Sequence, residues 1–436
     1  MEKVRTLNFN WLIWLMIVSS SMIVIQFSGR TLFLFLQIIF CLVVAIGTSK
    51  IAFFRFKEIN LIFIFMLVTA LSAWIGDLPD SYKKAALVVT VYMIPMYFSA
   101  AYVYMLMKRD NKMLSVIVRA IKLMCLIQIV WVLIQYVLHT FFGIDINQIL
   151  FTDVFRFVEN ASFYRNWVYY PSGLTWHSAV LAPAFVLAIV LFDSLPIRFL
   201  ALVAVFLCGN STAVVGAVIA ILLLIIYEIG QRKVTFKFRV STIISIFGLL
   251  IVGGIVLYQF NIFEIASDRI VHLWVRLMDP QSDSSTSAHL GYYSDYLKVL
   301  NESPMFQALF GYGEGTSGYP ITVMYNRYTT LGNWSVESDI INLLISRGIV
   351  GFVLFYYFIF YIALKGMKID FRYFVVVVSI FVQGFGYNVQ WDYVFFLEIL
   401  MFCSIKLNLN FFESYKLVKT NRGSEGEMNL DGQLQR

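Results

Sequence analysis

Charge is scarce in this 436-residue chain: Asp, Glu, Lys and Arg supply 14% of it, against about a quarter in an ordinary soluble domain. Cysteine and histidine are scarcer still, at four each. Cys41, Cys125, Cys208 and Cys403 all fall inside or at the ends of apolar runs, which excludes a disulfide framework and any zinc-binding spacing. The histidines are scattered at 139, 177, 272 and 289, so no protein-built metal cage and no cofactor is expected. Long polar stretches are nearly absent too. Only two intervals, about 143–173 and 263–338, interrupt a succession of apolar runs joined by short loops.

What is abundant is apolar surface. Hydrophobic residues make up 60% and aromatics 17%, with a mean hydropathy of +0.78, values that exclude a soluble globule and indicate a polytopic membrane protein. The net charge of +7 reports topology in such a chain before it reports an anionic partner, so no nucleic-acid partner follows from it. Lys3 and Arg5 precede the first apolar run, but no small-residue cleavage site follows, which reads as a retained first span.

With about 17 to 25 apolar residues per crossing, spans fall near 11–27, 31–47, 59–76, 86–107, 122–142, 174–193, 197–209, 212–229, 241–261, 339–363, 372–388 and 391–408. The fold class expected is an all-α polytopic membrane protein, with about twelve transmembrane helices and a large outer loop before the last three. Residues 1–262 carry helices one to nine, including the outer loop 143–173; 263–338 form the large outer loop; 339–408 carry helices ten to twelve; 409–436 form a mobile cytoplasmic tail. The seventh run is too short to cross alone and breaks at Gly209-Asn210-Ser211-Thr212, where non-helical backbone needs protein or a wet cavity around it.

Lys and Arg concentrate on one side when the loops are assigned alternately, at positions such as Arg55, Lys57, Lys108, Arg109, Arg232, Lys233, Lys365 and Arg372. That side is cytoplasmic by the positive-inside rule, which puts both termini inside and both long loops outside. No repeat of fixed period and no inverted symmetry between halves, as transporters often show, is visible.

The densest polar signal inside an apolar run is Glu337-Ser-Asp-Ile-Ile-Asn-Leu-Leu-Ile-Ser-Arg-Gly-Ile-Val-Gly351. On helical spacing Asp339, Asn342 and Ser346 fall within about 60° of one another, with Arg347 on the shoulder of that stripe. Ionisable groups at membrane depth mark substrate pathways, although Arg347 equally suits a pair with a carboxylate such as Asp339 that holds two helices in register. Gly348 and Gly351 permit close helix packing.

In the first outer loop, Arg165-Asn-Trp-Val-Tyr-Tyr-Pro-Ser-Gly-Leu-Thr-Trp-His177 combines a cation, rings and a histidine, which suits carbohydrate or an interfacial aromatic belt. The second outer loop carries Arg269, His272, Arg276 and His289, then Asn301 to Gly315, whose three glycines permit a tight turn or close backbone approach to a ligand. Clustered arginines beside a membrane suit a diphosphate headgroup, whose oxygens match the guanidinium fork; a solvated charged helix on the outer leaflet is the alternative.

Together these elements resemble the O-antigen polymerase (Wzy) and O-antigen ligase superfamily of bacterial membrane glycosyltransferases. The matching residues are Pro304 with Gly311-Tyr312-Gly313, the helix opening Glu337 to Gly351, and Ser172-Gly173-Leu174 at the sixth span. Three positions depart from the family pattern. Glu337-Ser338 stands where ligases place a His-Asn pair, His289 stands for a common arginine, and Asn210-Ser211-Thr212-Ala213 lacks a Ser-Arg.

The resemblance implies polymerisation of lipid-linked oligosaccharide repeat units, for O-antigen, capsule or exopolysaccharide, by metal-independent transfer from undecaprenyl diphosphate at the outer face of the bacterial cytoplasmic membrane. The partners it implies are the lipid-linked donor and acceptor, membrane lipid and a chain-length regulator protein. It makes Glu337 and His177 the candidate catalytic residues, and Arg165, Arg276, His289, Asp339 and Arg347 the candidate substrate-binding residues. A ligase using the same donor and a flippase for the same lipid-linked sugars are the competing functions.

Overall fold

The structure is a computed structural model that describes residues 10–47, 57–109, 111–165, 168–175, 177–230, 284–325, 336, 338–367 and 371–386. It is mostly helical, as a membrane chain must be when only intra-segment hydrogen bonds can satisfy the backbone in lipid. The first eight helices are α1 (Asn10–Ser19), α2 (Leu32–Gly47), α3 (Lys57–Ile75), α4 (Asp80–Arg109), α5 (Asn111–Phe142), α6 (Ala182–Leu191), α7 (Leu195–Leu207) and α8 (Ser211–Gly230). The outer loop then contributes α9 (Ser284–Glu302), α10 (Met305–Phe310) and α11 (Gly318–Tyr325), followed by α12 (Asp339–Met367) and α13 (Phe371–Gln383).

Among the described residues, three segments are long and apolar enough to cross a membrane: Asp80–Leu106, Ser115–Phe142 and Asp339–Tyr361. Shorter apolar helices occupy most of the other expected spans, and the expected spans 241–261 and 391–408 lie outside the described residues, as does the tail.

Two expected spans are shorter as helices than their apolar runs. The run 11–27 is helical only to Ser19, because the hydroxyls of Ser19 and Ser20 bond back to the carbonyls of Met16 and Ile17, and Gln128 of α5 takes the Ser21 carbonyl. Its remainder pairs Gln26–Phe27 (β1) with Arg30–Thr31 (β2) across a Ser28-Gly29 turn, both turn residues having positive φ. The run 174–193 begins instead with a 3-10 turn, Ser178–Leu181, before α6, and the proline at the first turn of α6 costs no hydrogen bond there.

The helices pack through small residues where backbones approach closely. On α8, Ala213, Ala217 and Ala220 are buried in one stripe with Gly216, and α13 lies against this helix with the Gln383 side chain over Gly216. α1 packs on α5, α3 on both α4 and α12, and α6 on α7, α8 and α13, around fully buried Phe40, Tyr97, Tyr104, Phe185 and Phe355.

The first outer loop holds a π-helical turn, Gln148–Val154, and a hairpin of Tyr164–Arg165 (β3) with Val168–Tyr169 (β4). His139 at the end of α5 stacks on Tyr169, 3.9 Å between ring centroids and 9° apart. Burial and the nearby Asp145 carboxylate push the Tyr169 phenol well above its usual pKa.

Candidate functional site

The described part of the second long loop, 284–325, packs against the helices. After Pro304 caps α10, Gly311 ends that helix at φ 82°, ψ −175°, a backbone region open essentially to glycine alone. The chain then runs along α12, where the Tyr312 and Gly313 N–H groups donate to the carbonyls of Ile345 and Ser346 at 2.8 and 2.9 Å. Those carbonyls are available because α12 breaks at Gly348, which has φ 66° and ψ −174°, so their regular partners four residues on lie beyond the break. A Cβ at Gly348 would strike the Leu309 carbonyl, and one at Gly311 would strike the Ser346 backbone. The two glycines therefore set the contact between α10 and α12 from both sides.

The turn delivers Glu314 to Arg347. The guanidinium Nη2 lies 2.9 Å from Glu314 Oε2, and both side chains have 0% exposure. The Ser346 hydroxyl donates to the same carboxylate oxygen at 3.1 Å. Nη2 of Arg347 also lies 3.4 Å from the Tyr97 hydroxyl and 3.4 Å from Met93 Sδ on α4, and its guanidinium carbon sits 4.4 Å above the Phe65 ring of α3. One ion pair thus connects the outer loop with α3, α4 and α12.

A polar seam continues toward the outer end of α12. The Ser317 hydroxyl donates to Asn342 Oδ1 and accepts from the Val336 N–H at 2.9 Å, which ties α11 to α12. The Asp339 carboxylate accepts from the Tyr356 hydroxyl at 3.1 Å, and its N–H donates to the Gly384 carbonyl at 2.7 Å, just past α13. On the loop side, the Tyr293 hydroxyl is 3.3 Å from Ser338 Oγ, and Tyr312 is 2.7 Å from Ser303 Oγ. Burial raises the pKa of both phenols, so each stays a neutral hydrogen-bonding group.

The expected site residues divide among these surroundings. Asp339, Asn342, Ser346 and Arg347 do lie together on a buried face of α12. The carboxylate 2.9 Å from Arg347 is Glu314, delivered by the glycine turn, while Asp339 stands eight residues, about 12 Å, along the same helix. His177 belongs to the first outer loop: it caps the 3-10 turn, its Nδ1 accepts the Ala179 N–H at 3.0 Å, and its ring centroid is 4.2 Å from that of Phe163. Arg165 stands on β3 opposite Val168, and His289 lies on α9. Glu337 and Arg276 lie outside the described residues.

Glu314, Tyr97 and Phe65 were not singled out by the sequence. The signal for Glu314 was present, since it is the one carboxylate inside the glycine run 311–315. Nothing in the pattern of α3 or α4 marks Phe65 or Tyr97 apart from the other rings of these apolar helices. Among the described residues, no group of three His, Cys, Asp or Glu side chains forms a metal set.

Residues 196–356 match the family model described as O-antigen ligase. The matched segment runs from α7 to the middle of α12, and so contains the glycine turn, Glu314, the break at Gly348 and Arg347. No curated protein matches the chain. With this match and its apolar helices, the chain is a multi-pass bacterial membrane protein that carries an O-antigen ligase family domain at residues 196–356, consistent with the O-antigen polymerase and ligase superfamily of polysaccharide assembly.

Proposed function

We propose that the chain polymerises lipid-linked oligosaccharide repeat units at the outer face of the cytoplasmic membrane, with both termini inside. The observation that carries this reading is the outer loop held inside the bundle by the Glu314–Arg347 pair, within the segment matched by the O-antigen ligase family. Such a seat joins a loop that reaches the aqueous side, where glycan lies, to helices in contact with lipid, where the carrier lies.

The acceptor hydroxyl oxygen attacks the anomeric carbon of the donor glycan as the bond from that carbon to the diphosphate oxygen breaks. The hydroxyl proton passes to a base, and undecaprenyl diphosphate leaves. Glu337 serves as that base. Because His177 Nδ1 accepts a backbone N–H, the neutral imidazole carries its proton on Nε2, which makes His177 a donor that positions a sugar oxygen. Arg165 and Arg276 contribute the cations for the diphosphate and His289 a further substrate contact, with Asp339 orienting the start of α12. Arg347 enters as the group that fixes the glycine turn, since its guanidinium is fully buried against Glu314 and Phe65. No metal takes part in this scheme.

Polymerase is favoured over ligase by Glu337-Ser338 in place of the His-Asn pair. The test is a gel of surface glycan from the source bacterium with and without the gene, and with Glu337→Gln at equal protein level. Loss of the gene should cut a ladder of repeats to a single repeat unit, and Glu337→Gln should do the same. If repeats no longer reach their final anchor while polymer accumulates on the carrier, the chain is a ligase. If lipid-linked single units are trapped on the inner leaflet, it is a flippase.

A further inference from the structure

The short helix α10 has an uncharged sequence, Met-Phe-Gln-Ala-Leu-Phe, and Met305 and Phe306 are 77% and 67% exposed although the helix packs closely on α12 and touches α3. Single exposed apolar side chains are common on any surface, so this pair gains meaning from its surroundings. Where the helix sits explains them. Its C-terminal end lies against Gly348, and the following Gly313 is bonded at Ser346, so this segment is level with α12 residues seven to nine positions inside Asp339. At 1.5 Å per residue that is about 10 to 13 Å below the outer end of the span. On α4, Gly313 lies against Ala86, six residues inside Asp80, or about 9 Å, and on α3 it lies against Ala73, two residues inside Ile75, or about 3 Å.

The neighbouring surface of α3 is already of the kind that faces acyl chains. Ile64, Leu67, Leu71 and Trp74 are exposed and share one face of the helix by their spacing. The buried Gln307 side chain of α10 reaches the Ile75 carbonyl, 3.5 Å away, so α10 sits at the Trp74 end of this stripe. Just before α10, Asn301 and Glu302 are exposed and polar, which marks the level at which the chain leaves the aqueous side.

We infer that α10 is a lipid-immersed segment of the outer loop, with Met305 and Phe306 facing the acyl chains of the outer leaflet beside the Ile64–Trp74 face of α3. An amphipathic segment that enters the headgroup and acyl boundary buries its apolar face to about 5–10 Å, in line with the depth read from α12 and α4. Within α10 the Ala308 and Gly311 N–H groups close regular turns onto the Pro304 and Gln307 carbonyls. The outer loop thereby meets lipid directly beside the buried Glu314–Arg347 pair. This inference rests on the multi-pass character of the chain and is independent of glycosyl transfer.

The test uses the full chain with Cys41, Cys125, Cys208 and Cys403 changed to Ser and a spin label on Phe306→Cys, reconstituted in nanodiscs of phosphatidylethanolamine and phosphatidylglycerol. Labels on Leu67→Cys and Glu302→Cys give the lipid and aqueous references. Collision with oxygen relative to a water-soluble nickel chelate should be several-fold higher at 306 than at 302 and should approach the value at 67. A ratio at 306 equal to that at 302 places the helix in water and overturns the inference. So does a label immobile and shielded from both reagents, which means protein covers the face. If Phe306→Cys accumulates poorly, Met305→Cys reports the same surface against the same references.

Discussion

Neutralising one member of the buried ion pair is the perturbation with the largest expected effect. Glu314 and Arg347 are both fully shielded, 2.9 Å apart, so Arg347→Met leaves a buried carboxylate without its guanidinium, beside the Ser346 hydroxyl. Glu314→Gln leaves a guanidinium facing Tyr97 and the Phe65 ring. Breaking such a pair from one side costs roughly 3–5 kcal/mol, of which the ring offsets about 1–2 kcal/mol in the second case. Arg347→Met should therefore be the more damaging single change. Removing both charges together costs less than the two single changes added, because the desolvation penalty disappears with the pair. The assay is SDS-induced unfolding of the purified protein in mild detergent, followed by pulse proteolysis at sites in the outer loop. At about 1.4 kcal/mol per decade, the loop-open population should rise at least a hundredfold for Arg347→Met. The Arg347→Met, Glu314→Gln double variant should recover part of that loss. Single variants within about 0.5 kcal/mol of the parent, or a double variant at the sum of the singles, would refute the assignment of this pair as the strut of the loop.

Further outcomes follow from the same geometry. Gly348→Ala places a side chain in backbone space nearly closed to it and against the Leu309 carbonyl, so a loss of about 2 kcal/mol or more and a detached α10 are expected in the same unfolding assay. His177→Ala removes a cap and should cost about 1 kcal/mol, whereas His177→Asn keeps an acceptor for the Ala179 N–H and should restore stability. If glycan chain length also recovers in His177→Asn, the imidazole has no role in the reaction beyond capping. Tyr356→Phe strips the hydroxyl donor from the buried Asp339 carboxylate and should cost about 1–3 kcal/mol, read from the denaturation midpoint, with a larger effect than Tyr357→Phe on the exposed face of the same helix.

The sequence alone determined the membrane class, the position of most helices and the polar face of α12. Apolar runs and helical spacing depend only on neighbours along the chain, and lipid leaves the backbone no other option than internal pairing. It also marked the glycine run at 311–315 as a tight turn or a close backbone approach to a ligand, because glycine is the residue that such backbone conformations demand. The tertiary structure decided what that approach meets. That Glu314 faces Arg347 depends on the glycine turn, on two carbonyls freed by the break at Gly348, and on two glycines that let separate segments touch. The partner choice is a contact between positions 33 residues apart, set by packing among α3, α4, α10 and α12, and no local periodicity encodes it.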